Sequence, residues 1–184
     1  PESGCEWGCF DYSQQEPRLV VHYASLDQDT SVFNVKDAYE DGNADFHTIV
    51  AQMADIPRDQ AKTINLGLFY GMGKAKLQAE LGVSKDKAEE LFSIYHERVP
   101  FVKSLTRSVS NRAQQRGQIR TLLGRLCRFH LWEPNSFGMH KALPFDQAVQ
   151  EHGPGIKRAY TYKALNKLIQ GSAADMTKKC MLEL

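Results

Sequence analysis

Two cations stand four residues apart at the start of the segment RDQAKTINLGLFYG, residues 58–71. On an α-helix, Arg58 and Lys62 would project from the same face, one turn apart. Unpaired N–H groups and the helix dipole make the beginning of a helix favourable for anions. The position of these two cations therefore suits the binding of a polyphosphate.

No charged residue follows Lys62 in this segment, which ends in an aromatic residue and a glycine. Leu66 and Tyr70 continue the same helical stripe, ~18 Å long in total, with an apolar middle and a flat ring on which a base can stack. Gly71 lets a ligand approach the backbone closely. The stripe thus has the order of a nucleoside triphosphate: phosphates, sugar, base. The alternative is a surface helix with two ordinary cations and a buried apolar side.

Charge is distributed unevenly along the 184 residues, although the net charge is only +1. Residues 1–59 have a net charge of −9, and residues 60–184 have a net charge of +10. The densest basic stretch lies between Glu97 and Glu133 and contains no acidic residue. Its cations are Arg98, Lys103, Arg107, Arg112, Arg116, Arg120, Arg125 and Arg128. Such a run suits a nucleic-acid backbone, although a solvated protein face is the ordinary alternative.

Composition indicates a folded protein with no membrane segment. The 42% hydrophobic content supports a core, and no apolar run approaches the ~18–20 residues that span a bilayer. The start of the chain lacks the pattern of a signal peptide. Because the chain begins with Pro and ends inside a predicted helix, we expect a piece of a longer protein. Ordinary intracellular thiols, with neither disulfide nor zinc, are expected at Cys5, Cys9, Cys127 and Cys180.

Residue periodicity predicts a mostly helical α+β chain. Helices are expected at residues 16–26, 45–55, 58–71, 84–99, 101–116 and from about residue 159 to the end. A short strand is expected within residues 6–14, ending at Asp11, and a β-hairpin at residues 118–130. Residues 27–45 and 132–156 are expected to be turns and loops. One short sheet would carry Asp11, and a mostly helical insertion would follow it.

The spacing of Arg58, Lys62, Tyr70 and Gly71 resembles motif B of the family A DNA polymerases, the group of bacterial DNA polymerase I and many phage replicases. Motif B alone would also fit single-subunit RNA polymerases. Further segments resemble the family in the same order along the chain. These are DYSQQEPR (11–18, motif A), DFH (45–47), YHERVPFV (95–102), RGQIRTLLGR (116–125) and NKLIQGSAAD (166–175).

The resemblance implies a polymerase palm with a short antiparallel sheet and a helical fingers subdomain. Residues 1–30 would be a palm segment, and residues 31–115 would form the fingers. Residues 116–184 would return to the palm with a hairpin and a helix facing the DNA minor groove. The implied activity is DNA-templated addition of deoxynucleotides to a primer 3′ end in DNA replication.

The resemblance also implies phosphoryl transfer with two Mg²⁺ ions. Asp11 would bind both ions, assisted by the Tyr12 carbonyl, and Lys62 would protonate the leaving pyrophosphate. Outside motif A, such an aspartate would more often be a turn cap. The family's second carboxylate lies in a later His-Asp-Glu hairpin that this sequence does not reach. The 184-residue chain alone is therefore expected to be inactive.

The incoming nucleotide would be bound by residues of motifs A and B and by the histidine between them. These residues are Arg58, Lys62, Leu66, Tyr70, His47, Gln14 and Glu16. Glu16 would fill the space that a ribose 2′-OH needs, and so select deoxynucleotides. Gln14 would lie near the nascent base pair and Tyr70 at the templating base. His47 outside its DFH context would more often be structural, and Leu66 stands where many relatives carry Phe or Tyr.

Primer–template DNA would be bound by residues of the fingers, the hairpin and the last helix. These residues are Tyr70, Gly71, Asn166, Gln170, Lys163, Arg120 and Arg125. Asn166 and Gln170, four apart on a helix, would donate to minor-groove acceptors that all base pairs share. Tyr162 stands where bacterial relatives often have a template-contacting Arg, and Lys163 beside it would take over that contact.

Two other classes of protein stay open. A single-subunit RNA polymerase would share motif B but lacks an equivalent of Glu16, and a degenerate homologue would bind DNA without catalysis. The short linker between His47 and Arg58 resembles phage enzymes more than bacterial ones. We therefore expect a phage or viral replicase acting inside the host cell, with dNTPs and DNA as partners and no membrane. Whether it uses a processivity factor is left open.

Overall fold

The computed structural model of this chain describes residues 2–27, 29–41, 45–69, 71–136, 138 and 140–183, without the side chains of residues 53 and 54. The described residues form nine α-helices and four short strands. The helices are α1 (Gln15–Leu26), α2 (Phe33–Glu40), α3 (Phe46–Ala54), α4 (Arg58–Phe69), α5 (Lys74–Leu81), α6 (Lys85–Arg98), α7 (Pro100–Arg116), α8 (Phe145–His152) and α9 (Ala164–Glu183). The strands are β1 (Gln118–Arg120), β2 (Leu126–Arg128), β3 (Trp132–Pro134) and β4 (Ile156–Arg158).

The segment before α1 is irregular, so the predicted strand at residues 6–14 is wrong. Trp7 and Phe10 are 85% and 86% exposed, and no described strand lies beside them to complete a hydrogen-bonded ladder. Asp11 therefore lies in an extended loop and not in a sheet. The loop enters α1 through Gln14, whose φ of 54° is left-handed. Pro17 occupies the first turn of α1, as predicted.

The predicted turn region at residues 27–45 contains regular structure, so that prediction is also wrong. A 3-10 turn at Thr30–Val32 leads directly into α2. The Asp29 carboxylate accepts from the backbone N–H of Ser31 and caps this turn. Val32 and Val35 are fully buried in the same core as α1. These two valines, one in the 3-10 turn and one in α2, anchor the segment in the core, and Tyr39 of α2 packs against the same core.

The predictions for residues 45–55 and 58–71 are confirmed by α3 and α4, which pack against each other. The buried side of α4 includes Ile64 and Phe69. Phe46, from the first turn of α3, contacts Phe69 with ring centroids 5.8 Å apart and Phe101 of α7 at 6.4 Å. The exposed side of α4 is thereby left for Arg58 and Lys62, as the stripe requires.

The two helices predicted around Pro100 are confirmed. Ser84 accepts from the backbone N–H of Lys87 at 3.2 Å and caps α6. Pro100 occupies the first turn of α7, and Gly117 ends it with a φ of 68°. A further helix, α5, precedes Ser84 and was not predicted from the sequence.

The predicted hairpin is confirmed, whereas the predicted loop at residues 132–156 is wrong. β1 and β2 pair antiparallel with Ile119 opposite Cys127. In the supposed loop, β3 pairs antiparallel with β4, and α8 lies between them. The rings of Trp132 and Phe145 pack edge to face with centroids 5.0 Å apart and hold α8 against β3. Pro144 directly precedes α8, and Gly153 and Pro154 form the turn between α8 and β4.

The last helix, α9, begins at Ala164, five residues later than the sequence prediction. β4 ends at Arg158, and a 3-10 turn at Thr161–Lys163 leads into α9. α9 packs on α1 and α7 and contributes Leu165, Leu168 and Ile169 to the core. Among the described helices, none combines the length and the apolarity needed to cross a membrane.

Candidate nucleotide-binding site

Three of the predicted nucleotide-binding residues are gathered at the first turns of α3 and α4. Arg58 and Lys62 are exposed on consecutive turns of α4, and His47 is buried in the first turn of α3. Burial lowers the pKa of His47, and the positive charges of Arg58 and Lys62 lower it further against the opposing charge of Asp45. The imidazole is therefore uncharged at neutral pH.

Arg58 is held by a carboxylate that sequence reasoning did not assign a role. Its Nε and Nη2 atoms donate to Oδ2 of Asp45 at 2.8 and 2.6 Å. Asp45 is also the N-cap of α3, because it accepts from the backbone N–H of His47 at 3.0 Å and from the Thr48 hydroxyl at 3.1 Å. Burial alone would raise the pKa of Asp45, but the hydrogen bonds from Arg58, His47 and Thr48 outweigh it and lower that pKa.

A buried polar chain lies behind His47. The Nδ1 atom of His47 is 3.1 Å from Nδ2 of Asn65, and the Tyr95 hydroxyl donates to Oδ1 of Asn65 at 2.7 Å. Asn65 and Tyr95 are fully buried, and burial raises the pKa of Tyr95 far above its ordinary value. The hydrogen bonds among His47, Asn65 and Tyr95 thus join α3, α4 and α6.

Lys62 differs from Arg58 in having no partner among the residues that the structure describes. Within the described part of the chain, neither a hydrogen bond nor an ion pair engages its ammonium group, and its side chain is exposed. Its charge is therefore available to a ligand at the surface of α4.

Leu66, the next residue of the stripe, is half-buried. Leu66 lines an open cleft of about 470 Å³ together with Gly71. A Cβ built on Gly71, whose φ is 74°, would lie 3.8 Å from the Tyr162 carbonyl, so the end of α4 comes close to the turn before α9. Tyr70, predicted to guard the templating base, lies outside the described residues.

Asp11 and Tyr12, the predicted metal ligands, line a second cleft beside the last turns of α9. The cleft has a volume of about 460 Å³ and includes Cys180. Asp11 is exposed, and a hydrogen bond with Cys180 is the main cause of a raised pKa of Tyr12. Among the residues that the structure describes, no three His, Cys, Asp or Glu side chains gather to hold a metal ion. Asp11 is therefore at most one ligand of a larger set.

Gln14 links the segment that carries Asp11 to the start of α3. Its Oε1 atom accepts from the backbone N–H of Phe46 at 2.7 Å and from the Tyr39 hydroxyl at 3.0 Å. The guanidinium of Arg18 lies over the Tyr39 ring at 4.5 Å. Glu16, two residues further along, is half-exposed in the first turn of α1. The sequence prediction placed Gln14 near a base pair, and the structure adds this contact with α3.

Arg125, predicted to contact DNA, is bound within the protein. Its Nε atom donates to Oδ1 of Asp175 at 2.7 Å, and its Nη2 atom donates to the Gly171 carbonyl at 2.9 Å. The Thr121 hydroxyl donates to the other oxygen of Asp175, and Arg120 donates to the Gly124 carbonyl at 3.0 Å. The hydrogen bonds from Thr121 and Arg125 lower the pKa of Asp175. Arg125 thus fastens the β1–β2 hairpin to α9.

The other predicted DNA-binding residues lie on α9 and on the turn before it. Asn166 is half-buried and Gln170 is exposed, one turn apart on α9. The Lys163 ammonium lies 5.3 Å from the ring centroid of Tyr160 and 5.5 Å from that of Tyr162. These two tyrosines are 40% and 59% exposed, so the lysine sits in an aromatic surface patch close to Gly71.

Sequence reasoning missed Asp45, Asn65 and Tyr95. Asp45 carried a signal, since an aspartate directly before an apolar helical run is a typical N-cap. Asn65 carried a weaker one, because it is the single polar residue among the buried positions of α4. Tyr95 carried no signal of its own, because its hydrogen bond to Asn65 depends on how α4 and α6 pack.

Comparisons with known proteins identify the family of this chain. A family model described as DNA polymerase family A matches residues 1–184. A DNA-directed DNA polymerase of Pseudomonas phage M6 is 34% identical over 224 aligned residues, covering 99% of this chain and 31% of that protein. DNA polymerase I of Bacillus caldotenax is 30% identical over 193 residues, covering 99% of this chain and 19% of that protein.

A solved structure is also similar. The polymerase domain of Pol1 from M. smegmatis, in complex with DNA primer-template and dNTP, matches with a TM-score of 0.64 and 29% identity, covering 91% of this chain and 27% of that chain. The protein described here belongs to family A of the DNA polymerases, which confirms the resemblance found in its motifs and the predicted α+β, mostly helical fold. It spans about a third or less of the length of these relatives.

Proposed function

We propose that this chain supplies part of the palm and the fingers of a DNA-templated DNA polymerase. Such an enzyme adds a deoxynucleotide to a primer 3′ end and releases pyrophosphate. The observation that carries the proposal is the grouping of His47, Arg58 and Lys62 at the first turns of two packed helices. Two cations and a neutral imidazole beside two helix N-termini suit a triphosphate.

Each of these groups has a distinct part in the proposal. Lys62 meets the phosphates as a mobile point charge and protonates the leaving pyrophosphate. Arg58, held by Asp45, offers a planar and pre-oriented guanidinium. Glu16 acts as the sugar gate against ribonucleotides. Leu66 and Tyr70 lie toward the sugar and the base, as the order of the stripe suggests.

Asp11 is assigned as a ligand of the catalytic Mg²⁺ pair, with the Tyr12 carbonyl beside it. Their oxygen donors are of the hard type that Mg²⁺ prefers, and they border an open cleft. When bound, the two metal ions would activate the primer 3′-oxygen and neutralise charge on the phosphates. Asp11 keeps one carboxylate exposed at the position where this chemistry is proposed.

The division of the chain follows from the same proposal. Residues 1–30 belong to the palm, residues 31–115 to the fingers, and residues 116–184 to the palm again. Asn166 and Gln170 face the minor groove from α9, where they sense the shape of a base pair without reading its sequence. Gly71, Lys163 and Arg120 contact the DNA near the template, and Arg125 supports the hairpin from which Arg120 projects.

Primer extension tests the proposal directly. The protein at its full natural length is given primer–template DNA, Mg²⁺ and either dNTPs or rNTPs, beside an Asp11→Asn variant. The expected result is extension with dNTPs but not with rNTPs, and no extension by Asp11→Asn. Extension with rNTPs would indicate an RNA polymerase, and DNA binding without extension would indicate a non-catalytic homologue. Either outcome would refute the proposal.

The sugar gate has its own test in the same assay. Glu16→Ala is expected to raise the incorporation of ribonucleotides relative to deoxynucleotides, because it opens the space that a 2′-OH needs. Glu40→Ala, which removes an exposed glutamate from α2, is the matched control. Unchanged discrimination in Glu16→Ala would remove Glu16 from the proposal.

A further inference from the structure

In the polar chain of His47, Asn65 and Tyr95, it is fixed which atom donates and which accepts each hydrogen bond. A phenol hydroxyl needs an acceptor for its proton, and Oδ1 of Asn65 at 2.7 Å is the acceptor that the described residues offer. Tyr95 is fully buried and its raised pKa keeps it protonated. If the amide were turned around, the hydroxyl proton would be buried without a partner, which is costly.

That direction determines the tautomer of His47. With Oδ1 of Asn65 committed to Tyr95, the atom that faces Nδ1 of His47 at 3.1 Å is Nδ2, which can only donate. Nδ1 must therefore accept, and the ring proton of a neutral His47 lies on Nε2. Nε2 of His47 has no hydrogen-bond partner among the described residues. It is also open to solvent, because in this part of the chain the buried side-chain nitrogen or oxygen without a partner is Nδ1 of His96 and not an atom of His47.

We propose that Asn65 and Tyr95 are positioning residues that hold His47 as the Nε2–H tautomer, so that it donates a hydrogen bond to an oxygen of the bound triphosphate. The inference rests on the proposed function. The charged groups that act on the ring are Asp45, Arg58 and Lys62. A neutral donor adds a hydrogen bond beside the two cations without a third positive charge.

The first test reads the tautomer itself. Nitrogen-15 NMR of histidine-labelled protein at its full natural length distinguishes Nε2–H from Nδ1–H, and His47→Gln assigns the resonance. In the wild type, His47 is expected to be protonated at Nε2. In Asn65→Asp a carboxylate faces Nδ1, so Nδ1 is expected to gain a proton. Tyr95→Phe, which removes one hydroxyl, is expected to give a mixture of tautomers because the amide can then turn.

The second test reads the consequence for the nucleotide. In single-turnover incorporation, Asn65→Asp is expected to weaken the apparent dNTP affinity roughly tenfold, the scale of one hydrogen bond to a charged group. Tyr95→Phe should have a smaller effect in the same direction. The affinity for primer–template DNA should not change. Tyr23→Phe, which removes a half-buried hydroxyl hydrogen-bonded to Ser172 between α1 and α9, is the control for the loss of such a hydrogen bond.

A double-mutant cycle separates positioning from simple structural support. In a His47→Gln background, Asn65→Asp should cause no further loss of dNTP affinity, because the residue it positions is already gone. Additive losses, or an unchanged nitrogen-15 spectrum in both Asn65→Asp and Tyr95→Phe, would overturn the inference. A wild-type protein that fails to extend primers refutes the proposed function instead, and the spectrum still reports on the tautomer.

Discussion

At the scale of single residues, the carboxylate of Asp45 performs two tasks. It caps α3 and it holds the guanidinium of Arg58, with contacts between 2.6 and 3.1 Å. The pKa of Asp45 is lowered in the folded protein. A carboxyl group with a lowered folded pKa stabilises the protein above its unfolded pKa, about 3.9, and this contribution disappears as the pH falls through the folded value.

Asp45→Asn tests this linkage. Asparagine is also a good N-cap, so the substitution removes the charge and keeps the cap. The free energy of unfolding of the wild type should exceed that of Asp45→Asn at pH 6, and the difference should shrink at pH 3. Urea titrations at both pH values measure it, with Asp37→Asn on the exposed side of α2 as control. A difference that stays constant between the two pH values would contradict the linkage.

The sequence alone could predict only part of this arrangement. Arg58 and Lys62 were identifiable because their four-residue spacing expresses a helical face. Asp45 as a cap was also within reach, since capping is local. Its ion pair with Arg58 was not, because thirteen residues separate them and only the packing of α3 on α4 brings them together.

At the scale of elements, the β1–β2 hairpin docks on α9 through a close approach at one glycine. A Cβ built on Gly171 would lie 2.8 Å from Cγ2 of Thr121 and 3.2 Å from Nη2 of Arg125. Around this point, the Thr121 hydroxyl and Arg125 bind Asp175, and Ser172 accepts from the backbone N–H of Leu122 at 3.0 Å. The missing side chain lets the hairpin and the helix make these bonds.

Gly171→Ala should therefore destabilise the protein by about 1–3 kcal/mol, the cost of forcing extra volume into a packed contact. Helix propensity alone predicts the opposite sign, a gain of about 1 kcal/mol. Denaturant titration distinguishes the two. Gly155→Ala is the control, because its Cβ would meet nothing within 4 Å. A stability equal to or above that of the wild type would show that the hairpin does not need this close contact.

The elements differ in how far the sequence predicts them. α4, α6 and α7 have long periodic patterns with caps or breakers at their ends, and all were predicted. The helix α2 and the β3–β4 pair were not. α2 depends on two valines that pack on α1, and β3 pairs with a strand more than twenty residues away. Neither interaction leaves a local pattern.

At the scale of the whole molecule, the uneven charge seen in the sequence is partly neutralised by folding. Arg112 of the basic part pairs with Asp27 of the acidic part at 3.2 Å, and Arg58 pairs with Asp45 within the acidic part. Lys103 and Arg107 differ from Arg58 and Arg112 in their surroundings. They border an open cleft on α7, and no ion pair engages them within the described residues.

This difference predicts a graded salt dependence of DNA binding. Each cation that contacts a phosphate contributes about 0.9 to the slope of log affinity against log salt concentration. The double variant Lys103→Gln, Arg107→Gln should reduce the slope by about two, whereas Arg112→Gln should change it less because Asp27 already neutralises that charge. Fluorescence anisotropy with labelled primer–template DNA measures the slopes. If Arg112→Gln reduced the slope as much as each substitution in the double variant, this prediction would be wrong.

The central claim is that the first turns of α3 and α4 hold the triphosphate of an incoming nucleotide. Single-turnover incorporation by Lys62→Ala, in the protein at its full natural length, is the measurement to make, with Lys85→Ala, an exposed lysine at the start of α6, as the control. Lys62→Ala is expected to lower the apparent dNTP affinity at least tenfold, the scale of a charged hydrogen bond. It should also slow the maximal rate, whereas Lys85→Ala should change neither. Wild-type affinity and rate in Lys62→Ala would contradict it.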